Sequence, residues 1–527
     1  MINGKYFLGI LVIVLGIAFI GCDNGSTNGN ENENENIHVH QWGDWTQTKL
    51  QTYTEDGEET RVCVLDETHI ETRSVSKFIS TNIPGSSLSL KLLWLDTNAT
   101  SDTTYLLDAT ESEELKPQIL SYSGRRNITL VLLGIEGERT VSLESNGSLF
   151  TIEDGVTLIL EKDITLKGRS SNDTSLIMVN EGGELVMNTG SKITSNKGGI
   201  YHYVGGMDTR FGAGVHVSGN FVMNGGEISN NTSIGTSHGG GVCVCGSFIM
   251  NGGIIKNNYL GGVYIIGSFI MNGGEISSNN ANPGGGVFIS GGSFIMNRGK
   301  IYNNSSSWLN SSGGEGGGVY LAGGTFTMHD GEIVGNKSTG NGAGIYNNGN
   351  FIMHGGVILD NIASQPGTST PGVGGGVYNI GIFTMHNGEI SGNSSIGDGS
   401  GVYVQDQTFT MYNGKISSNN SNRNGGGVYI NQYGTFIMHN GEISGNGSNQ
   451  NGGGVYAGGN FQIITGNIFG SGTNLEIRNT AASGAALFLS GDTSSVEHGI
   501  FNEDTWIKNG NLSTTNNTVR VLNGYLQ

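Results

Sequence analysis

From residue 186 onward, hydrophobic positions recur in short alternating groups instead of long runs. The stretch FVMNGGEISNN (221–231) passes through a polar loop into GGGVCV, and FIMNGGIIKNN (248–258) runs directly into GGVYI. Phe two residues before Met, Met itself, Ile five residues after Met and the Val of the Gly-Gly-Gly-Val group recur, while the residues between them change freely. Met187, Met223, Met250, Met271, Met296, Met328, Met353, Met385, Met411 and Met438 mark the register, with gaps of 36, 27, 21, 25, 32, 25, 32, 26 and 27 residues. A period in that range means stacked units. Because side chains alternate faces along a strand, Phe-x-Met, Glu-Ile-Ser and Val-Tyr-x predict three short strands bounded by Gly and Asn turns. No stretch reads as a helix. The pattern predicts an all-β parallel β-helix, a solenoid of three-strand coils of roughly 25 residues, each strand pairing with its equivalent about 4.8 Å along the axis.

Polar columns fix the register further. Three residues after the inward Ile stand Asn196, Asn231, Asn258, Asn279, Asn304, Asn336, Asn361, Asn393, Asn419 and Asn446. We read these as an Asn ladder: Asn tolerates the left-handed conformation of a sharp corner, and stacked amides can hydrogen-bond up the column. The residue before the inward Ile runs Glu227, Ile254, Glu275, Lys300, Glu332, Val357, Glu389, Lys415, Glu442, so that no Glu stands directly over another. Like charges directly opposite repel, so this column reads as a solvated ladder and not as an acid pair for catalysis. A third column, Tyr264, Phe288, Tyr320, Tyr346, Tyr378, Tyr403, Tyr429 and Tyr456, is expected to face outward, stacking for stability and offering a strip for a glycan or protein partner.

The flanks differ. Residues 1–21 carry Lys5 and then FLGILVIVLGIAFI, a secretory signal pattern. Its end at Gly21-Cys22 resembles the lipobox of bacterial lipoproteins, which implies lipidation of Cys22, although Phe19 and Ile20 depart from the usual residues. Residues 22–37 are polar and read as a disordered tether. Residues 38–80, with His38, His40, Trp42, Trp45, Cys63 and His69, resemble a small Trp-rich module found near the front of some bacterial surface proteins. Residues 81–185 are expected to form an N-terminal cap and irregular coils, with LSLKLLWL, ITLVLL, RTVSL, SLFTI, VTLIL, DITLKG and SLIMV as strands and ESEELKPQIL as a helical turn or loop. Residues 186–470 are the regular stack, and 471–527 the last coils and a C-terminal cap.

Composition narrows the function. The 92 glycines among 527 residues follow from the density of turns. A net charge of −19 excludes a general nucleic-acid partner, since phosphate binding needs a basic surface. The sequence holds no Ser-His-Asp order, Walker-type loop or His-Glu-x-x-His, and thus no catalytic residue, cofactor or metal is assigned. Three places allow metal chemistry on residue type: Cys243 and Cys245 beside His216, the His329, His354, His386 and His439 column interrupted by Tyr412, and His38, His40 and His69. In each, ordinary structural use of the residues is the simpler reading.

Over about residues 120–515 the chain resembles right-handed parallel β-helix proteins of the pectin-lyase-like class. Pairing of Gly-Gly-Gly-Val with Phe-x-x-Asn, as in Phe221-Asn224, Phe248-Asn251, Phe269-Asn272 and Phe294-Asn297, is similar to repeats of chlamydial polymorphic outer membrane proteins. The resemblance implies a right-handed coil and a surface or adhesin-like role. The expectation is therefore an exported, lipid-anchored protein of the bacterial cell envelope, at the outer membrane or cell surface, that binds a glycan or a host or cell-surface protein, or serves structurally. A polysaccharide lyase or glycoside hydrolase on the same fold is the alternative. Length variation collects between the ladder Asn and the next Gly run, in 232–238, 305–315 and 362–373, so these loops with Trp308, and the column Tyr264, Tyr320, Tyr346, Tyr378, Tyr403 and Tyr429, are the candidate binding residues.

Overall fold

The computed structural model describes residues 40–490, apart from 50, 54, 200, 201, 205, 206, 210, 211, 235–238, 308–312, 365–370 and 470–476, together with the strands Val519–Leu522 and Tyr525–Leu526. The signal and tether segments, Cys22, His38 and Trp308 lie outside the described residues. The chain divides into two units, Met1–Phe78 and Ile79–Gln527.

The first unit holds an antiparallel sheet of β1 (Thr46–Lys49), β2 (Gly57–Cys63) and β3 (Asp66–Val75), in that order. Cross-strand charge pairs suit its solvated face: Arg61 bonds Glu71 and Arg73 bonds Glu59. The same guanidiniums lie over indoles, Arg61 at 5.1 Å from the Trp42 ring and 4.6 Å from Trp45, and Arg73 at 4.3 Å from Trp45.

The second unit is a parallel β-helix. The three predicted strands of each coil stack into sheets of 15, 16 and 14 strands, called below the Phe, Ile and Val sheets. Register is one-to-one: Phe248 pairs with Phe269 and Phe294 with Phe326 in the Phe sheet, Ile255 with Ile276 in the Ile sheet, Val263 with Val287 in the Val sheet. Pairing is parallel throughout these stacks until the end of the Ile sheet, where Val519–Leu522 runs antiparallel to Gly466–Ile468. A one-residue slip would turn every Phe and Met outward, so burial locks the register. Between the sheets runs one continuous core from Ile83 to Leu487. Its Phe rings, from Phe221 to Phe461, stack face to face with centroids 4.4 to 5.4 Å apart. Each buried ring contributes roughly 1.5–3 kcal/mol by removal from water.

The Asn ladder is present and more extended than the repeat suggests. Asn361 is typical: its backbone N–H and Nδ2 both donate to Asn393 Oδ1 (2.9 and 2.9 Å), and Nδ2 also donates to the Ile333 carbonyl (3.0 Å). The amides from Asn231 to Asn446 are buried, so each hydrogen bond is made away from water. The ladder continues to Asn479, which accepts from Asn446, and at the other end Asn172 donates to Asn196 Oδ1 at 3.0 Å. The left-handed turn, however, falls on the residue before each ladder Asn, at Ser195, Asn230, Asn257, Ser278, Asn303, Gly335, Asp360, Gly392, Ser418 and Gly445, with φ between 53° and 65°. The recurring amide is there for its hydrogen bonds, and its neighbour makes the corner.

Three other sequence expectations change. LSLKLLWL is not a strand: Leu88–Asn98 is a helix, α1, capped by Ser87, whose side chain accepts from the Leu90 amide. Its buried residues Leu88, Lys91, Leu92 and Leu95 follow helical spacing, and the leucines join the solenoid core, so α1 covers apolar surface at the first coils. ESEELKPQIL, expected as a turn, supplies the strands Glu113–Leu115 and Gln118–Leu120. Finally, the two residues after the ladder Asn form a fourth, seven-stranded parallel sheet, running from Asn280–Ala281 to Gly447–Ser448. The variable loops begin only after these short strands. Among the described residues no helix is long and apolar enough to cross a membrane.

Candidate functional site

The Gly-rich corner between the Phe and Ile sheets leaves shallow cavities along the coil. One, of about 750 Å³, is lined by Glu138, Asp163, Lys192, Glu227, Ile254 and Glu275 among others. A second, of about 660 Å³, repeats the same corner further along at Val357, Glu389, Lys415 and Glu442. Strand register confirms the charge alternation, with Glu227 opposite Ile254, Ile254 opposite Glu275, Glu275 opposite Lys300 and Lys300 opposite Glu332. The carboxylates are matched: Lys192 and Lys256 lie 3.0 and 2.9 Å from Glu227, Lys300 lies 2.9 Å from Glu332, Lys415 lies 3.5 Å from Glu442, and the hydroxyls of Tyr302 and Ser417 donate to Glu275 and Glu389. Burial pushes the Glu227 carboxyl up, but hydrogen bonds from Ser229, Lys256 and Lys192 together outweigh it and hold the group at about 2.

The Tyr column sits on the outer side of the Val sheet, but it is not an open strip. Tyr264 is 2% exposed, Phe288 8% and Tyr346 9%, and the others are half-buried. Tyr264 meets Phe288 edge-on, as Phe288 does Tyr320, whereas Tyr320, Tyr346, Tyr378, Tyr403, Tyr429, Tyr456 and Phe488 stack in parallel, 4.7 to 5.3 Å apart. Within that stack each ring face is taken by its neighbours, leaving ring edges and hydroxyls to meet a ligand. Burial, with Glu315 and Asp406 nearby, raises the Tyr378 phenol to about 12. Burial likewise raises Tyr320, Tyr346, Tyr403 and Tyr429, so these phenols stay neutral and offer hydrogen bonds.

A second ladder escaped the sequence reading. The residue after the first five register Met is Asn188, Asn224, Asn251, Asn272 and Asn297, and from Asn224 on each Nδ2 donates to the preceding Oδ1 at 2.8 to 3.0 Å on the exposed surface, while Asn188 Nδ2 donates to Glu161. The column then changes to His329, His354 and His386, stacked 4.9 and 4.8 Å apart, followed by Tyr412 and His439. Burial, with His386 and His329 alongside, lowers the His354 pKa. Two parallel imidazoles 4.8 Å apart cannot both reach one ion at a metal–nitrogen distance of about 2.1 Å, so face-to-face stacking disfavours a metal shared between neighbours.

Two inward positions also break the apolar pattern. Asn347 and Asn379 replace the usual aliphatic residue in the Val sheet, are fully buried, and satisfy one another through Asn347 Nδ2 to Asn379 Oδ1 at 2.6 Å. In the first unit, His40 stacks on Trp42 at 4.9 Å and meets His69 edge-on at 4.8 Å. Cys63 is buried and forms an isolated antiparallel backbone bridge with Trp42.

The one group of three or more His, Cys, Asp or Glu side chains with converging ligand atoms, among the described residues, is His216, Cys243 and Cys245. His216 and Cys243 pair directly across adjacent strands of the Val sheet, and Cys245 lies two residues beyond on the same side. Burial lowers the His216 pKa to about 4, so its imidazole is neutral. The Cys245 thiol is pulled below the usual range by its hydrogen bond with Cys243.

The described fold is that of a parallel β-solenoid protein. Comparison of the chain with family models, with curated proteins and with solved structures gives no match.

Proposed function

We propose that this chain is an exported lipoprotein of the bacterial cell envelope, held at the outer membrane or cell surface through Cys22, whose right-handed, pectin-lyase-like β-helix acts as an adhesin-like binding or structural protein. Its partner is a glycan or a host or cell-surface protein, met by the corner loops with Trp308 and by the hydroxyl edge of the Tyr column; no cofactor and no nucleic acid takes part. The observation that supports binding over turnover is the saturated charge ladder. Glu227 is tied to two lysines and held at about 2, which makes it a poor proton acceptor at neutral pH, and its counterparts up the column are paired in turn.

A polysaccharide lyase or hydrolase is the second reading, favoured by the cavity in which Glu138 and Asp163 join Lys192 and Glu227. A glycan array and a cleavage screen on one preparation separate the two: retention of a glycan without release of reducing or unsaturated ends supports binding, and product release that Glu227→Gln abolishes supports the enzyme. The anchor is tested by Cys22→Ser, which should end acyl labelling and free the protein from the membrane fraction.

A further inference from the structure

The outer column of the Val sheet carries an aromatic ring in every coil from Tyr264 to Tyr456, yet in the two coils before Tyr264 it carries His216 and Cys243, with Cys245 added where the strand ends. One imidazole and two thiols thereby meet with their ligand atoms all within 4.8 Å of one another. In a tetrahedral zinc site the same atoms stand about 3.5–3.8 Å apart, given bonds of about 2.3 Å to sulfur and 2.1 Å to nitrogen. The difference is about 1 Å, within reach of side-chain rotation on a fixed sheet.

The surroundings suit a metal. Ser218 Oγ lies 3.2 Å from His216 Nε2, so Nε2–H can donate to it, a tautomer that keeps the lone pair on the buried Nδ1. Cys243 is fully buried and His216 nearly so, while Cys245 is the most exposed of the three and gives a path for entry. Space alone does not dictate the thiol: an added Cβ on Gly212 would stand 3.0 Å from Cys243 Cβ, but one on Gly239 would stand 2.9 Å from Tyr264 Cβ, where a whole aromatic ring is accommodated. Close packing therefore explains neither Cys243 nor the second thiol two residues on. Residues i and i+2 of an extended strand are about 6.6 Å apart at Cα, the far end of the disulfide range, whereas they span a metal easily.

We propose that His216, Cys243 and Cys245 bind one soft divalent cation of the zinc class, with the fourth position open to water. Binding converts two thiols to thiolates and releases two protons to solvent, the imidazole staying neutral, so the site carries no net charge and no redox partner is needed.

The test uses the full chain in detergent, reduced and stripped of metal, and titrated with Co²⁺. One equivalent should bind with thiolate-to-cobalt charge-transfer absorption and the intense visible bands of a tetrahedral ion, and Zn²⁺ should bleach them. Cys245→Ser, at the exposed position, should leave the unfolding temperature of the metal-free protein unchanged while weakening cobalt binding at least tenfold and removing the stabilisation that Zn²⁺ gives the parent. His216→Ala should weaken binding while retaining the charge-transfer band. Cobalt bound equally by the parent and Cys245→Ser, or bound without thiolate absorption, would overturn the site, as would a Cys243–Cys245 disulfide in the reduced preparation.

Discussion

At the scale of single residues the ladder amides carry the most. Asn361→Ala would leave the Asn336 N–H without its acceptor, take one of the two acceptors from Asn336 Nδ2 and remove the amide donor to the Ile333 carbonyl, all in the interior. Each orphaned group costs about 1–3 kcal/mol, so the urea midpoint should fall clearly, and Asn393→Ala should match it. Asn196→Ala should cost a similar amount, because Asn196 is no terminus: its Nδ2 donates to the Thr174 and Ala213 carbonyls and its Oδ1 accepts from Asn172. Glu227 gives a pH signature. Its folded pKa lies below the unfolded value near 4.5, so its contribution is complete above that value and lost as pH falls towards about 2. Glu227→Gln should flatten that part of the stability profile, read as unfolding temperature against pH, and leave stability near pH 7 lower than in the parent.

Among elements, α1 shows why one part of the chain was misread. LSLKLLWL alternates like a strand over its first five residues, and Leu88, Leu92 and Leu95 also fit a helix; Ser87 decides, because its side chain caps the first turn. Lys91 then lies in the interior, 3% exposed, with its Nζ on Asp108 Oδ1 at 2.6 Å and on the Asp108 carbonyl at 2.7 Å. Asp108→Ala should destabilise by about 3 kcal/mol by stranding a buried cation, whereas Lys91→Met should cost much less, a contrast thermal unfolding can measure. The three main strands and both the Asn and Glu columns were legible because each repeats at a fixed offset from Met. The fourth sheet left a signal too: in its seven coils the residue two after the ladder Asn is Ala281, Ser306, Ser338, Ala363, Ser395, Ser421 and Ser448, all small and all buried, whereas Leu260 breaks the pattern just before it. A two-residue strand is too short for alternation to reveal, whereas the meeting of His216 with Cys243 was legible, because each directly follows the Val after its Gly-rich group and the strands pair in that register.

For the solenoid as a whole, stability should behave as a sum over coils and their interfaces. Removing 326–350 joins Thr325 to Phe351 in the register that the strands already share and should leave the circular dichroism unchanged, with a fall in urea midpoint equivalent to about 1–3 kcal/mol of stability, because Asn347, the donor to buried Asn379 Oδ1, goes with it. Removing 294–325 joins Ser293 to Phe326 equally well but sets Glu332 directly over Glu275, since Lys300 between them is gone. That variant should be less stable by about 1 kcal/mol at pH 7 and should recover as acid protonates the pair, a pH dependence the first deletion lacks. The Met–Gly corner sets a different kind of rule. A Cβ on Gly356, at φ +84°, would stand 2.5 Å from Met328 Cε of the preceding coil, and the same contact recurs from Met223 against Gly253 to Met438 against Gly466. Each coil is thus written half in its own sequence and half in its neighbour's. Over evolutionary time, duplication can lengthen or shorten such a chain only by segments that carry a methionine forward to meet a glycine, which makes the seam between coils, and not the coil, the unit of inheritance.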